Sequence, residues 1–145
     1  MDNQQERQDV KAAYLAGLFE ADGSFSLHDN KGKVNQYEPA CTFVNTDGEL
    51  MKTVHEMLDG FGVGHHICSR AQLGFGTKPI FQLQIQGMKR NSKWLPIVRP
   101  YMHGIKAKRV DVMIRFIDHR LKTPRNSKYG EFEERCRKDY LALQS

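Results

Sequence analysis

Leu15-Ala16-Gly17-Leu18-Phe19-Glu20-Ala21-Asp22-Gly23, followed at once by Ser24-Phe25-Ser26-Leu27-His28, changes its period in the middle. The first part closes a stretch rich in helix formers, with Ala12, Ala13, Leu15, Ala16 and Leu18, and predicts a helix over about Asp9 to Asp22. Gly23 is placed to take the left-handed position that ends such a helix. The last five residues alternate polar and apolar, the pattern of a half-buried strand. Gly17 and Ala21 lie four residues apart and so share one helix face. Side chains this small let another helix approach backbone to backbone. That helix comes either from the same chain or from a second copy across a two-fold axis, and the residues alone leave both open. Glu20 and Asp22 stand at the electronegative end of the helix, where an acid is disfavoured. A cation would relieve them, and Mg²⁺ favours a small number of carboxylates together with water and phosphate oxygens. A solvated acid beside a capping glycine is the plainer alternative.

Working outward, Asn30-Lys31-Gly32-Lys33 is a turn, and a return strand follows over about Tyr37 to Asn45. Pro39 indicates a sheet edge or a strand end. Thr46-Asp47-Gly48-Glu49 has the form of a capping box, in which the Thr46 hydroxyl and the Glu49 carboxylate satisfy the first amides of a helix. Leu50, Val54, Met57 and Leu58 share the inner face of that helix, and Gly60 stops it. A second hairpin is predicted from a strand near Val63 to Arg70, a turn at Gly74 to Gly76, and a strand over Lys78 to Gln86. A short helix is expected around Ser92 to Val98. A longer one over about Ala107 to Leu121, with Val110, Met113, Ile114 and Ile117 inward, ends at Pro124. A last amphipathic helix uses Phe132, Cys136, Tyr140 and Leu143.

The class is therefore α+β with one four-stranded antiparallel sheet. One sheet face carries Phe25, Leu27, Cys41, Phe43, Leu83 and Ile85, and helices can cover it. The other carries Ser24, Ser26, His28, Thr42, Gln82 and Gln84. These residues form either a solvated face or a surface whose groups donate and accept to base edges in a major groove. A ribbon of ~10 residues is ~33 Å long, about the axial length of ~10 base pairs.

A chain of 145 residues supports one domain, 1–145, with a core over about 12–121 and a helical extension over about 125–145. The net charge of +5 favours a polyanionic partner, and the excess of Lys and Arg is greatest from Lys106 to Lys138. No apolar run approaches the ~18–20 residues of a membrane span, and the first residues carry no stretch of signal-peptide type. An intracellular, reducing location without a membrane partner is expected. Cys41, Cys68 and Cys136, scattered and odd in number, fit free thiols there. A zinc set of Cys41, His65, His66 and Cys68 lacks the spacing of the common finger patterns.

The segment Leu15 to Gly23 closely resembles the LAGLIDADG motif of the homing endonucleases. Seven of its nine positions match; Phe19 and Glu20 depart, and the terminal Asp22-Gly23 is intact. Phe43-Val44-Asn45-Thr46-Asp47 looks like the family's second strand leading into its second helix. Phe61-Gly62-Val63-Gly64 looks like its Gly turn, and Ile105-Lys106-Ala107-Lys108 like the loop of its active-site lysine. The resemblance covers about Ala13 to Ile117 and implies an αββαββα core whose saddle-like sheet is covered by helices on one face, with C-terminal helices added.

It also implies a function: metal-dependent cutting of both DNA strands at a long, near-palindromic target, promoting intron or mobile-element homing. Asp22 and the Ala21 carbonyl would hold Mg²⁺, or another divalent cation such as Mn²⁺. Asp47 would orient water or a metal ligand, and Lys106 would stabilise developing charge. Lys52 would add positive charge near the DNA backbone, and Glu20 receives no role at the metal. One motif copy implies a homodimer meeting through Gly17 and Ala21, with double-stranded DNA as partner and no small-molecule cofactor. The expected DNA-binding set is Ser24, Ser26, His28, Thr42, Arg70, Lys78, Gln82, Gln84 and Lys108. Alternation leaves open whether His65 and Ser69 or His66 and Arg70 face the DNA. An RNA maturase and a DNA-binding regulator on the same fold are the competing readings.

Overall fold

The change of period at Gly23 is where the first helix hands over to the sheet. In the computed structural model, described over residues 3–30, 36–70, 78–124 and 126–143, α1 spans Asn3–Asp22 and β1 spans Gly23–Asp29. The helix starts six residues ahead of Asp9, with Glu6 in its first turn, where the dipole favours an acid, and Gln5 bonded to Asp9 at 3.0 Å. Gly23 is not left-handed. It is glycine because a Cβ there would lie 2.7 Å from the Phe19 carbonyl oxygen, so the strand leaves hard against the helix backbone.

The remaining elements are β2 (Tyr37–Asn45), α2 (Gly48–Gly60), β3 (His66–Arg70), β4 (Ile80–Gln86), α3 (Met88–Val98), a 3₁₀ turn (Arg99–Tyr101), α4 (Gly104–Lys122) and α5 (Glu131–Ala142). The expected α+β class and four-stranded antiparallel sheet are present, in the order β1-β2-β4-β3. β2 is thus a central strand. Pro39 is tolerated because it precedes the stretch paired with β4, which begins at Ala40 opposite Gln86. The Gly74–Gly76 turn and residues 31–35 lie outside the described residues.

Phe25, Leu27, Cys41, Phe43, Leu83 and Ile85 are buried on the inner sheet face, as their alternation predicts. The helices close over them. Phe19 of α1 packs its ring 5.3 Å from Phe43 and 4.9 Å from Trp94 of α3. Buried Asn91 pins α3 to the sheet: its Nδ2 donates to the carbonyls of Pro39, Ile85 and Gly87, and its Oδ1 accepts from the Cys41 thiol. This network starts α3 four residues ahead of Ser92, from Gly87 at φ +94°. α4 buries Val112 and Phe116 in addition to Val110, Met113 and Ile117, while Ile114 is half-buried.

α2 stops at Gly60 as expected, but its start differs from expectation. Asp47, not Thr46, caps α2: its Oδ1 accepts from the Glu49 and Leu50 amides at 3.0 and 3.2 Å. After Gly60 the chain reverses at Gly62, which carries the positive φ of +71°.

α5 turns Cys136 and Tyr140 into the core, with Leu143 half-buried just after it, as expected, but not Phe132. Phe132 is exposed and stacks on His119 at 4.2 Å, whereas Glu133 is buried beside Cys136 and Tyr140. Ion pairing outweighs apolar matching at this position. Arg120 Nη1 lies 3.1 Å and His119 Nε2 3.2 Å from Glu133 Oε1, and the Gly130 amide donates to Oε2 at 2.9 Å. Burial pushes the Glu133 carboxyl up, but the Gly130 and Glu133 amides and the Arg120 guanidinium outweigh it and hold it below the usual range. Because the folded value is depressed, this stabilisation is present above the unfolded value and is lost as pH falls through the folded one. Glu133→Gln should lower stability by roughly 2–3 kcal/mol at neutral pH in urea unfolding. Its difference from wild type should shrink as the solution is made acid; a pH-independent difference would assign the loss to packing.

Candidate active site and nucleic-acid interface

The last turn of α1 and the first turn of α4 hold each other by an exchange of side chains. Lys106 reaches back from α4 and its Nζ donates to the Glu20 and Gly23 carbonyls at 2.7 and 2.8 Å. Glu20 reaches forward, its Oε1 accepting from the His103 amide at 3.0 Å just ahead of α4. A cation thereby meets the negative pole of α1 and an anion the positive pole of α4, each satisfying groups the helix itself cannot. Glu20, given no role from sequence, belongs to this clasp.

Asp22 lies between the two carbonyls that Lys106 grips. It is exposed and, among the described residues, makes no hydrogen bond or ion pair. With Val44, Asn45, Thr46 and Ile80 it lines a shallow, open hollow. An unpartnered carboxylate at the wrong end of a helix, open to water, suits a hard divalent cation that keeps most of its waters. Asp47 follows directly after Thr46 of this hollow and is exposed. One of its oxygens is committed to the α2 cap, its amide is held by Asn45 Oδ1 at 2.8 Å, and Oδ2 takes no part in the cap.

The strand register sets the outer face of the sheet. Ser24 pairs with Thr42, Thr42 with Gln84, and Gln84 with His66; Val44 pairs with Gln82 and Gln82 with Cys68. This brings Ser24, Ser26, His28, Thr42, Gln82 and Gln84 onto one surface. It also decides the edge strand: His66, Cys68 and Arg70 face outward with them, and Ser69 stands opposite Phe81 on the other side. Ser26 is partly engaged, contacting the Ala40 carbonyl at 3.3 Å and His28 Nδ1 at 3.4 Å, and His28 lies 3.8 Å from Glu38. Lys78 is exposed just ahead of β4. Lys108 is not brought to this face: it borders a groove between α4 and α5 with Asp111, Arg115 and Asp139.

The basic C-terminal stretch is largely spent inside the chain. Arg115 pairs with Asp139, Arg120 with Glu133 and Arg137 with Asp29, and Arg109 donates to the Leu143 carbonyl. The imagined zinc set is dispersed. Cys41 is buried in the core, where burial pushes its thiol far up, while His66 and Cys68 face out from β3. His65 turns instead to His55 of α2, its Nε2 2.7 Å from His55 Nδ1, a contact that no local spacing announced.

On α1 the small-residue face is open. A Cβ at Gly17 would meet nothing within 4 Å among the described residues, Ala21 is exposed, and Val10 and Tyr14 continue the stripe with 68% and 42% of their surface in water. Intrachain packing of Gly17 is therefore excluded among the described residues.

The model of the LAGLIDADG-like domain matches residues 9–90, more than half of the chain. Among solved structures, the chain is similar to the homing endonuclease I-CvuI in complex with its target in the presence of calcium: TM-score 0.61 and 15% identity, covering 94% of this chain and 96% of that one. The archaeal intron-encoded homing endonuclease I-Vdi141I complexed with DNA gives a TM-score of 0.56 at 12% identity, over 94% and 98% of the two chains. Meganuclease I-SmaMI bound to uncleavable DNA gives 0.60 at 16% identity; 91% of this chain is covered, but only 42% of that one. At such identities the likeness is one of fold. No curated protein matches the chain in sequence.

The clasp has a measurable consequence of its own. Lys106→Met should lower the unfolding free energy by about 1.5–3 kcal/mol, the worth of hydrogen bonds to a charged group. Chemical denaturation checks this, and an unchanged midpoint would mean that Lys106 contributes nothing to holding α1 and α4 together.

Proposed function

The chain belongs to the LAGLIDADG-like domain family, and from that premise we propose that it is a site-specific DNA endonuclease that works as a homodimer and hydrolyses phosphodiesters with a divalent metal. The observation that carries this reading is Asp22: an exposed acid with no side-chain partner among the described residues, at the end of a helix whose geometry Lys106, Glu20 and Gly23 fix. The Asp22 carboxylate and the Ala21 carbonyl would hold Mg²⁺ or Mn²⁺. When bound, such an ion acidifies water and neutralises charge on the phosphate. Asp47 has one oxygen fixed by the α2 cap, and its other oxygen would orient water or a metal ligand. Lys106 spends two of its three hydrogens on carbonyls, and the third remains to meet a phosphate oxygen. The polar outer face of the sheet, with Thr42, Gln82 and Gln84 at its centre, is suited to base edges in a major groove.

Cutting both strands requires two such hollows. The open stripe Val10, Tyr14, Gly17 and Ala21, spaced four, three and four residues apart, is suited to close packing against its own copy across a two-fold axis. The intron or mobile element that would carry such a nuclease lies within an intracellular, reducing setting, in keeping with three free cysteines. An RNA maturase or a DNA-binding regulator would bind nucleic acid without cutting it, and internal pairing of the basic C-terminal stretch favours neither.

Asp22→Asn should reduce cleavage of a selected target roughly a hundredfold or more while leaving gel-shift affinity within a few-fold of wild type. Mg²⁺ should support cutting by the parent protein and its removal should stop it. Cleavage by the variant at the parental rate would refute the assignment of the site. Gly17→Leu should raise the dimer dissociation constant roughly tenfold or more in sedimentation, since overfilling a close contact costs about 1–3 kcal/mol. A wild-type monomer that cuts both strands would refute the dimer.

A further inference from the structure

We propose a second metal site, separate from the Asp22 hollow and sharing no residue with it, in which His55, Asp59 and His65 bind one borderline divalent transition ion of the zinc class. His55 and Asp59 are four residues apart and share a face of α2 near its C-terminal end. The chain then reverses at Gly62, buries Val63, and returns His65 to that face. Their ligand atoms all lie within 4.8 Å of one another.

The hydrogen bonding prepares the ligands. His65 Nδ1 lies 2.8 Å from the Val63 carbonyl, an obligate acceptor, so Nδ1 carries the hydrogen and Nε2 presents its lone pair. A ring nitrogen oriented by a backbone carbonyl in this way is the usual arrangement of a metal-binding histidine. That lone pair faces His55 Nδ1 at 2.7 Å, and His55 Nε2 faces Asp59 Oδ2 at 3.2 Å. His55 therefore stands between two acceptors, a lone pair and a carboxylate, and a neutral ring with its single hydrogen satisfies only one of them. A second hydrogen on the His55 ring would satisfy both, and so would a divalent cation that takes one lone pair from each of the three side chains in place of these hydrogen bonds.

The ion's class follows from the donors and the surroundings. Two imidazoles and one carboxylate suit Zn²⁺, Co²⁺, Ni²⁺ or Cu²⁺. Mg²⁺ and Ca²⁺ prefer oxygen throughout. The side chains of Lys93 and Arg90 lie against Gly62 and Gly64 in the connecting loop, so an ion held by charge alone would be opposed. The His55 and Asp59 side chains keep 45% and 61% of their surface in water, which leaves room for water as a fourth ligand. Such an ion would join the end of α2 to the entry of β3, the edge strand that carries His66, Cys68 and Arg70 on the outer face.

Titration of the purified full chain with Co²⁺, read by visible absorption, tests the site. The expected result is the band of a four-coordinate nitrogen-ligated ion, saturating at a single ion per chain, displaced by Zn²⁺ and unaffected by a large excess of Mg²⁺. His65→Ala and His55→Ala should abolish it, and Asp59→Asn should weaken binding roughly tenfold or more. Asp22→Asn and Cys68→Ser should retain it, which separates this site from the proposed catalytic one and from adventitious thiol binding. Circular dichroism establishes that each variant is folded; if His65→Ala is not, His65→Gln replaces it. Absence of stoichiometric binding to the folded wild type, or a band that survives in the folded His65 variant, would overturn the proposal and leave the His55–His65 contact as a hydrogen bond only.

Discussion

The exchange of side chains between α1 and α4 is the constraint on which the site depends. A helix ends in carbonyls that have no partner within it and begins with amides in the same position. Here each helix supplies the charged group that the other lacks: Lys106 for the carbonyls of Glu20 and Gly23, and Glu20 for the amide of His103. Asp22 sits inside that grip. It lines a hollow with Val44, Asn45 and Thr46 and is open to solvent, with no side-chain bond among the described residues. The same helix buries Phe19 among Phe43 and Trp94 and leaves Gly17 uncovered, so its core face and its open face are set by one docking.

Charge is distributed in a way that the net value of +5 conceals. Much of the C-terminal excess of arginine stitches α5 to α4 and to the first hairpin through Arg115, Arg120 and Arg137. The surface across the centre of the sheet is instead mostly neutral and polar, with Thr42, Gln82 and Gln84 in register across β2 and β4. Groups of this kind discriminate among hydrogen-bonding partners, whereas lysine and arginine mainly supply attraction to phosphate. The C-terminal segment is thus part of the scaffold: Cys136 and Tyr140 enter the same core as Phe25 and Leu83.

Much of this was legible in the sequence. The shift from helical formers to strict alternation at Gly23 placed the first helix–strand junction. The alternation of Phe25, Leu27, Phe43, Leu83 and Ile85 sorted the sheet's two faces, because side chains in a strand point alternately to either side. The nine-residue motif led to the family and to Asp22. Local chemistry misled where two local solutions compete. Thr46 and Asp47 can both cap a helix, and Asp47 won; Gly23 can end a helix or admit a close neighbour, and it does the second.

By itself, then, the sequence determined periodicity, the inner and outer residues of the better-marked strands, and the family. All are written in neighbouring residues. Only the tertiary structure decided that Gly17 faces open space, that Glu20 and Lys106 serve opposite helix ends, that His66 and Arg70 rather than His65 and Ser69 face outward, and that His65 meets His55 and Asp59. Each depends on strand register or helix docking. Those are set by the sum of many weak contacts between residues far apart in the chain, and no short stretch of sequence contains that sum.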